Sequence, residues 1–166
     1  VNEFSDFARM PKPLLKKNNL HEVIDENIGL LNKIDPNIKI KLINHLSKDN
    51  YFNFDYEQFN RLFFNLIKNS IESIQEKSQK DSKIDKNIDI EIRGRRDYII
   101  INLFDTGIGF KNKNTKDLIK PYFTTKEKGT GLGLSIVDKI ISDHNGSISF
   151  LNQKNGAKIQ IIIPNK

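Results

Sequence analysis

The chain has 166 residues, no cysteine and a net charge of +6, with 37% hydrophobic and 29% charged residues. That balance reads as one globular domain with room for a real core, excludes disulfides and thiolate zinc sites, and is compatible with a reducing cytosol. Acids alternate with the lysines (Lys80-Asp81, Lys83, Asp85-Lys86), so the positive charge does not line a nucleic-acid surface, and the longest apolar runs, 98–104 and 159–164, fall well short of the roughly 20 residues of a membrane span.

In chain order, residues 1–10 read as the end of a helix with Phe4 and Phe7 on one side, stopped by Pro11 and Pro13. Leu20, Val23, Ile24, Ile28 and Leu31 keep a helical period over 20–33, which Pro36 ends. Ile38, Ile40 and Leu42 alternate with lysines and predict a strand, and 51–54 predicts a second, short one. Asp55 is placed to N-cap a long helix reaching about Glu76. Residues 76–87 are polar and lysine-rich, and read as an exposed, mobile loop. Residues 88–92 and 98–104 form a hairpin around 94–97. Residues 105–129 have little periodicity beyond a short helix near 117–120, and a loop of that length points to function. A helix over about 130–144 ends at Asn145-Gly146, and 147–151 and 157–163 make a final hairpin through Asn155-Gly156. The order predicts an α/β two-layer sandwich, a mixed and mainly antiparallel sheet with helices on one face.

Three places carry chemistry. On the long helix, Phe59, Leu62, Phe63, Leu66, Ile67, Ile71 and Ile74 share one face, and Arg61, Asn65, Lys68, Asn69 and Glu72 the opposite stripe. Asn65 and Asn69 stand one turn apart, either as a working amide pair or as an ordinary solvated face. At the end of an apolar strand, Asp105-Thr106-Gly107-Ile108-Gly109 offers a carboxylate to an exocyclic amine and glycines to a flat ring, or else a tight turn. In 124–134, Gly129, Gly131 and Gly133 follow a hydroxyl- and lysine-rich loop and precede a helix, a plausible polyphosphate cradle. Neither a Walker loop nor a dinucleotide fingerprint fits.

Together these segments resemble, in order, the N, G1, F and G2 boxes of the histidine-kinase and Hsp90-type (GHKL) ATPase superfamily: 65–73, 105–109, 121–126 and 129–134, with 155–164 similar to the closing strand. Residues 3–13 are similar to the end of the dimerisation helix of nitrogen-regulation sensor kinases of the NtrY and NtrB type. The resemblance implies a Bergerat-type fold, a dimerisation-helix end and hinge at 1–13, and an ATP-binding catalytic domain at 14–166. Since the chain begins at Val1, it is expected to be a cytoplasmic piece of a longer, homodimeric parent, an inner-membrane protein in one reading.

The resemblance further implies ATP held with Mg²⁺. Asp105 would accept from the adenine amine, Gly107 and Gly109 would make room for the base, and Asn69 would bind Mg²⁺ with Asn65 in support. Gly129, Gly131 and Gly133 would turn backbone donors to the phosphates, within a wall that includes Thr124, Thr125, Thr130 and Leu132. Lys126, with Thr125, would reach the γ-phosphate, with Lys68 as a basic alternative, and the approach from Lys111 would be mobile without nucleotide. ATPase relatives carry a glutamate where this chain has Asn65. An amide cannot be a general base, which favours a kinase over a hydrolase, although Glu72 is a second candidate base or a structural residue. Ala157 stands where many relatives have threonine, so a contact to adenine is either lost or made by backbone. His21 lacks an acceptor motif, His45 carries none, and His144 sits at a helix end where positive charge is favourable. The acceptor histidine is therefore expected upstream, on the dimerisation helices, with a response regulator as the parent's partner. Alternatives are a serine kinase of the anti-sigma type and an inactive nucleotide-sensing module.

Overall fold

The computed structural model describes residues 10–46, 49–111 and 133–165. Its element order is β1 (Lys16–Asn19), α1 (Leu20–Leu31), β2 (Lys39–Asn44), β3 (Tyr51–Phe54), α2 (Tyr56–Lys80), β4 (Asn87–Gly94), β5 (Tyr98–Asp105), α3 (Gly133–Asp143), β6 (Ser147–Gln153) and β7 (Gly156–Pro164). Five strands form one sheet in the order β2-β4-β5-β7-β6. Only β2–β4 is parallel, because β3 and α2 intervene between those strands; the other three pairings are antiparallel. The expected mixed, mainly antiparallel sheet is therefore present.

Period-two alternation decides the faces. Ile88, Ile90 and Ile92 of β4, Ile99, Ile101 and Leu103 of β5, and Ile159, Ile161 and Ile163 of β7 are buried together with the apolar stripes of α1, α2 and α3. All seven apolar residues expected on the inner face of α2 are buried there. The opposite sheet face mixes polar side chains with Ile100, Phe104 and Ile162, and carries cross-strand pairs. Gln160 Nε2 donates to Asn102 Oδ1 at 3.0 Å, and the Lys158 ammonium lies 5.5 Å from the Phe104 ring centre.

Four local expectations change. Lys16–Asn19 pairs antiparallel with Tyr51–Phe54 as a separate two-stranded ribbon, so the strand at 51–54 does not join the main sheet. Nothing in Lys-Lys-Asn-Asn announces a strand; it is held by its partner, aided by Asn18 Nδ2 donating to Phe54 O at 2.8 Å. Second, α2 runs to Lys80 instead of stopping near Glu76. Polarity alone does not end a helix: Gln, Glu and Lys are good helix formers, and Lys77 and Lys80 suit the negative end of the dipole. Third, Gly156 is not a turn residue. The loop is Lys154-Asn155, neither of which has a positive φ. Gly156 opens β7 where a Cβ would stand 1.8 Å from the Asp105 carbonyl oxygen.

The fourth concerns His144. The expected C-cap of α3 is present: Asn145 takes the left-handed conformation (φ 62°), and Gly146 N–H donates to Ile141 O at 2.9 Å. His144, however, does not offer a positive charge there. It is 7% exposed, packed on Phe59, and burial lowers its pKa, against the opposing pull of the Ile140 carbonyl, Asp55 and Asp143. Its Nε2 accepts from Asp55 N–H at 3.1 Å while Nδ1 lies 2.7 Å from Ile140 O, which assigns the neutral ring with its proton on Nδ1. Asp55 in turn caps α2 through Gln58 N–H (3.1 Å) and accepts Leu14 N–H (2.8 Å). Gln58 Nε2 reaches Pro11 O at 3.0 Å, so the segment leading into the domain docks on the start of α2.

Two outcomes follow. Below the ordinary histidine pKa of 6.5 the unfolded chain takes up a proton that the folded His144 refuses, so stability is complete above that pH and falls beneath it. Urea melts from pH 8 to pH 5 should show this loss in the wild type, at most ~1.4 kcal/mol per pH unit, and a flatter profile in His144→Gln. Gly156→Ala must push two backbones apart, and should cost at least about 2 kcal/mol in the same melts.

Candidate functional site

The inward row of β5 continues past Ile99, Ile101 and Leu103 to Asp105, which brings an ionisable group into the core side of the sheet. Asp105 is 8% exposed, and burial raises its carboxyl pKa above the usual value. Two donors pull the other way. Gly107 N–H reaches Oδ1 at 2.9 Å and Ser70 O–H of α2 reaches Oδ2 at 2.8 Å, while the Ala157 backbone of β7 and the Lys77 charge also favour the ionised form.

The loop after β5 is tied down at Thr106, Ile108 and Phe110. Thr106 Oγ1 accepts Asn87 N–H (3.0 Å) and donates to Asp85 O (2.6 Å). Ile108 N–H donates to Ser73 Oγ at 2.9 Å. The Asn152 amide pairs with both backbone groups of Phe110, at 2.6 and 2.9 Å. A Cβ on Gly107 would stand 2.1 Å from Ser73 Oγ, and one on Gly109, which has φ 75°, would stand 2.7 Å from Asn152 Oδ1. Both glycines therefore let the loop lie directly on α2 and β6.

On the opposite stripe of α2, Asn65 and Asn69 are half-buried and one turn apart, Lys68 is exposed with its ammonium 5.8 Å from the Phe64 ring centre, and Glu72 is half-buried. Gly133, the first residue of α3, faces Asn69: a Cβ there would lie 4.0 Å from Asn69 Nδ2. The structure so sets Asp105 and Gly107 against α2 at Ser70 and Ser73, Gly109 against Asn152, and Gly133 beside Asn69, with Asn65 one turn before Asn69. Thr124, Thr125, Lys126, Gly129, Thr130, Gly131 and Leu132 lie outside the described residues, as does the loop expected to be mobile.

Ser70, Ser73, Thr106 and Asn152 escaped the sequence reading. A signal existed for the serines. They are three apart on α2, two small hydroxyls beside the buried Ile67, Ile71 and Ile74, and one turn of helix sets both toward the loop after β5.

Residues 54–166 match the family model described as histidine kinase-, DNA gyrase B-, and HSP90-like ATPase. The chain is 32% identical over 156 residues to the nitrogen regulation protein NtrY of Azorhizobium caulinodans, covering 94% of this chain and 20% of that protein. It is 32% identical over 162 residues to an NtrY-like sensor histidine kinase of Rickettsia felis, covering 97% of this chain and 26% of that one. It therefore spans about a fifth to a quarter of the length of these relatives. Among solved structures, the catalytic domain of the histidine kinase ThkA in a nucleotide-free form superposes with a TM-score of 0.78 at 27% identity, covering 92% of this chain and 96% of that one. ThkA in complex with the response regulator TrrA superposes with a TM-score of 0.79 at 23% identity, over 99% of this chain and 46% of that one. Matched by that family model over residues 54–166, the chain belongs to the histidine kinase-, DNA gyrase B- and HSP90-like ATPase family.

Proposed function

We propose that the chain is the ATP-binding catalytic domain of a sensor histidine kinase, which moves the γ-phosphate of ATP to a histidine outside residues 1–166. The observation that carries this reading is the Asp105 carboxylate, buried yet held by two donors at the end of β5, with Asn69 and Gly133 close together on a neighbouring stripe of α2.

Asp105 accepts from the adenine amine, and Gly107 and Gly109 keep the loop low beside the base. Asn69 supplies an amide oxygen, a hard ligand suited to Mg²⁺, and Asn65 supports it from one turn earlier. Bound Mg²⁺ would neutralise charge on the phosphates. Gly129, Gly131 and Gly133 offer backbone N–H groups to the phosphates, with Thr124, Thr125, Thr130 and Leu132 in the same wall and Lys126 at the γ-phosphate. An amide at Asn65 orients without taking a proton, which keeps water a poor nucleophile there.

The histidines of the chain suit structural tasks. Both ring nitrogens of His144 are engaged, His21 Nδ1 lies 3.0 Å from Asn44 Nδ2, and His45 Nε2 lies 3.7 Å from Glu91. The acceptor therefore belongs to the parent's dimerisation helices, upstream in a homodimer whose residues 1–13 enter this domain, and a response regulator takes the phosphoryl group onward. Among the described residues no helix is long and apolar enough to cross a membrane. The domain sits on the cytoplasmic side of a parent anchored elsewhere in its chain.

Titration calorimetry with ADP and ATP, with and without Mg²⁺, tests the reading. Asp105→Ala should weaken both nucleotides about 10- to 100-fold, the worth of a charged hydrogen bond; undiminished binding would remove Asp105 from the base site. Asn69→Ala should erase the gain in affinity that Mg²⁺ confers and leave metal-free ADP binding within about twofold of wild type, as expected when only the metal contact is deleted. An unchanged Mg²⁺ dependence would remove Asn69 from the metal. Phosphate transfer from labelled ATP to the parent's helices, added in trans, then separates a kinase from a nucleotide sensor.

A further inference from the structure

We infer that Ser70 is the positioning residue that makes this site choose a 6-amino purine over a 6-oxo purine, by locking the Asp105 carboxylate into an arrangement that presents acceptors only. The inference rests on the nucleotide reading above and adds to it the origin of base selectivity.

A serine inside a helix usually returns its hydroxyl proton to a carbonyl of the preceding turn. Ser70 is 2% exposed, and its hydroxyl instead crosses 35 residues of sequence to Asp105 Oδ2 at 2.8 Å. Its single proton is committed there, so the oxygen retains only acceptor capacity. An ionised carboxylate has about four lone-pair positions. Among the described residues, Gly107 N–H on Oδ1 and Ser70 O–H on Oδ2 take two. One donor on each oxygen, from the loop and from α2, fixes the plane of the group and leaves its remaining positions as acceptors.

A ligand amine arriving at this pair finds an open acceptor; a ligand carbonyl finds only lone pairs and negative charge. Ser73 reinforces the arrangement. It accepts Ile108 N–H from the same helix face, so the loop carrying Asp105 is held to α2 at two points three residues apart. Removing the Ser70 hydroxyl deletes a donor from a carboxylate that burial already pushes toward its protonated form. A protonated carboxyl can donate to a carbonyl, so the loss acts on both ligands in opposite senses.

The test compares ADP with IDP, which differ at the exocyclic position, by calorimetry at pH 7 on the purified chain. Wild type should prefer ADP by about 100-fold or more, as for a site built to bond one polar group. In Ser70→Ala the ADP/IDP ratio should fall about tenfold, with IDP affinity unchanged or higher, the size of one hydrogen bond to a charged group. The ratio is taken within one variant, so a partly unfolded fraction cancels. Ser70→Cys, close in shape but a weak donor, should move the ratio in the same direction. A Ser70→Ala protein that loses ADP and IDP affinity equally, or keeps the wild-type ratio, overturns the inference while the nucleotide reading stands. A wild type that binds neither nucleotide overturns both.

Discussion

A carboxylate carried into the inner row of a sheet constrains everything around it. Asp105 follows Ile99, Ile101 and Leu103 on the face that β5 turns to the helices, where an ionised group has lost most of its water. Hydrogen bonds from the neighbouring elements must replace that water. The helix contributes a hydroxyl at Ser70 and the following loop an N–H at Gly107. The small residues nearby follow from the same need. Gly107 must lie against Ser73 for the two donors to converge, and Gly156 must pass the Asp105 carbonyl for β7 to pair beside it. What reads in sequence as two glycines in two turns is one packing problem.

The 25-residue α2 keeps that solution in register with the rest of the fold. At its start, Asp55 caps it, receives Leu14 N–H from the entering segment and donates its own N–H to the neutral His144 at the end of α3. At its far end, Lys77 bonds to Asn155 O in the β6–β7 loop, and Glu76 pairs with Lys111 beyond the loop after β5. The surface ion pair adds little energy, but the buried His144–Asp55 contact fixes where α3 ends relative to α2. With Gly133 beside Asn69 at its other end, α3 lies close to α2 near both of its own ends.

The strands, the helical stripe and the long helix were legible because they depend on short-range period and burial, as at Phe59–Ile74 and Ile99–Leu103. Asn65, Asn69 and Asp105 stand out as candidates only in combination, since each motif alone also reads as an ordinary helix face or a tight turn. Lys16–Asn19 was not legible, since a ribbon strand can take its structure wholly from its partner. Residues 77–80 were misread because polar composition was taken as a break where no Gly or Pro supplied one. His144 was misread because the helix dipole was weighed without its burial, which is set by Phe59 and Asp55 some 85 to 89 residues away. Ser70 fell between these cases. Its partner is 35 residues distant, and the pairing exists only once α2 lies on β5.

Asn69 and Ser70 are consecutive, so they project about 100° apart on α2. One therefore faces the half-open stripe that meets Gly133, while the other faces the core and holds Asp105. On the proposed reading, the metal-bearing amide and the base-selecting carboxylate are set by a single helical step, with no flexible segment between them. A displacement of α2 along its axis would carry both ends of the nucleotide site together, which preserves the span that a nucleotide must bridge. Phosphoryl transfer asks mainly for positioning. On the same proposed reading, a rigid helix that fixes both ends of the ligand leaves the reacting phosphate as the part still to be placed, the task proposed for Lys126 and the glycines of the G2 segment.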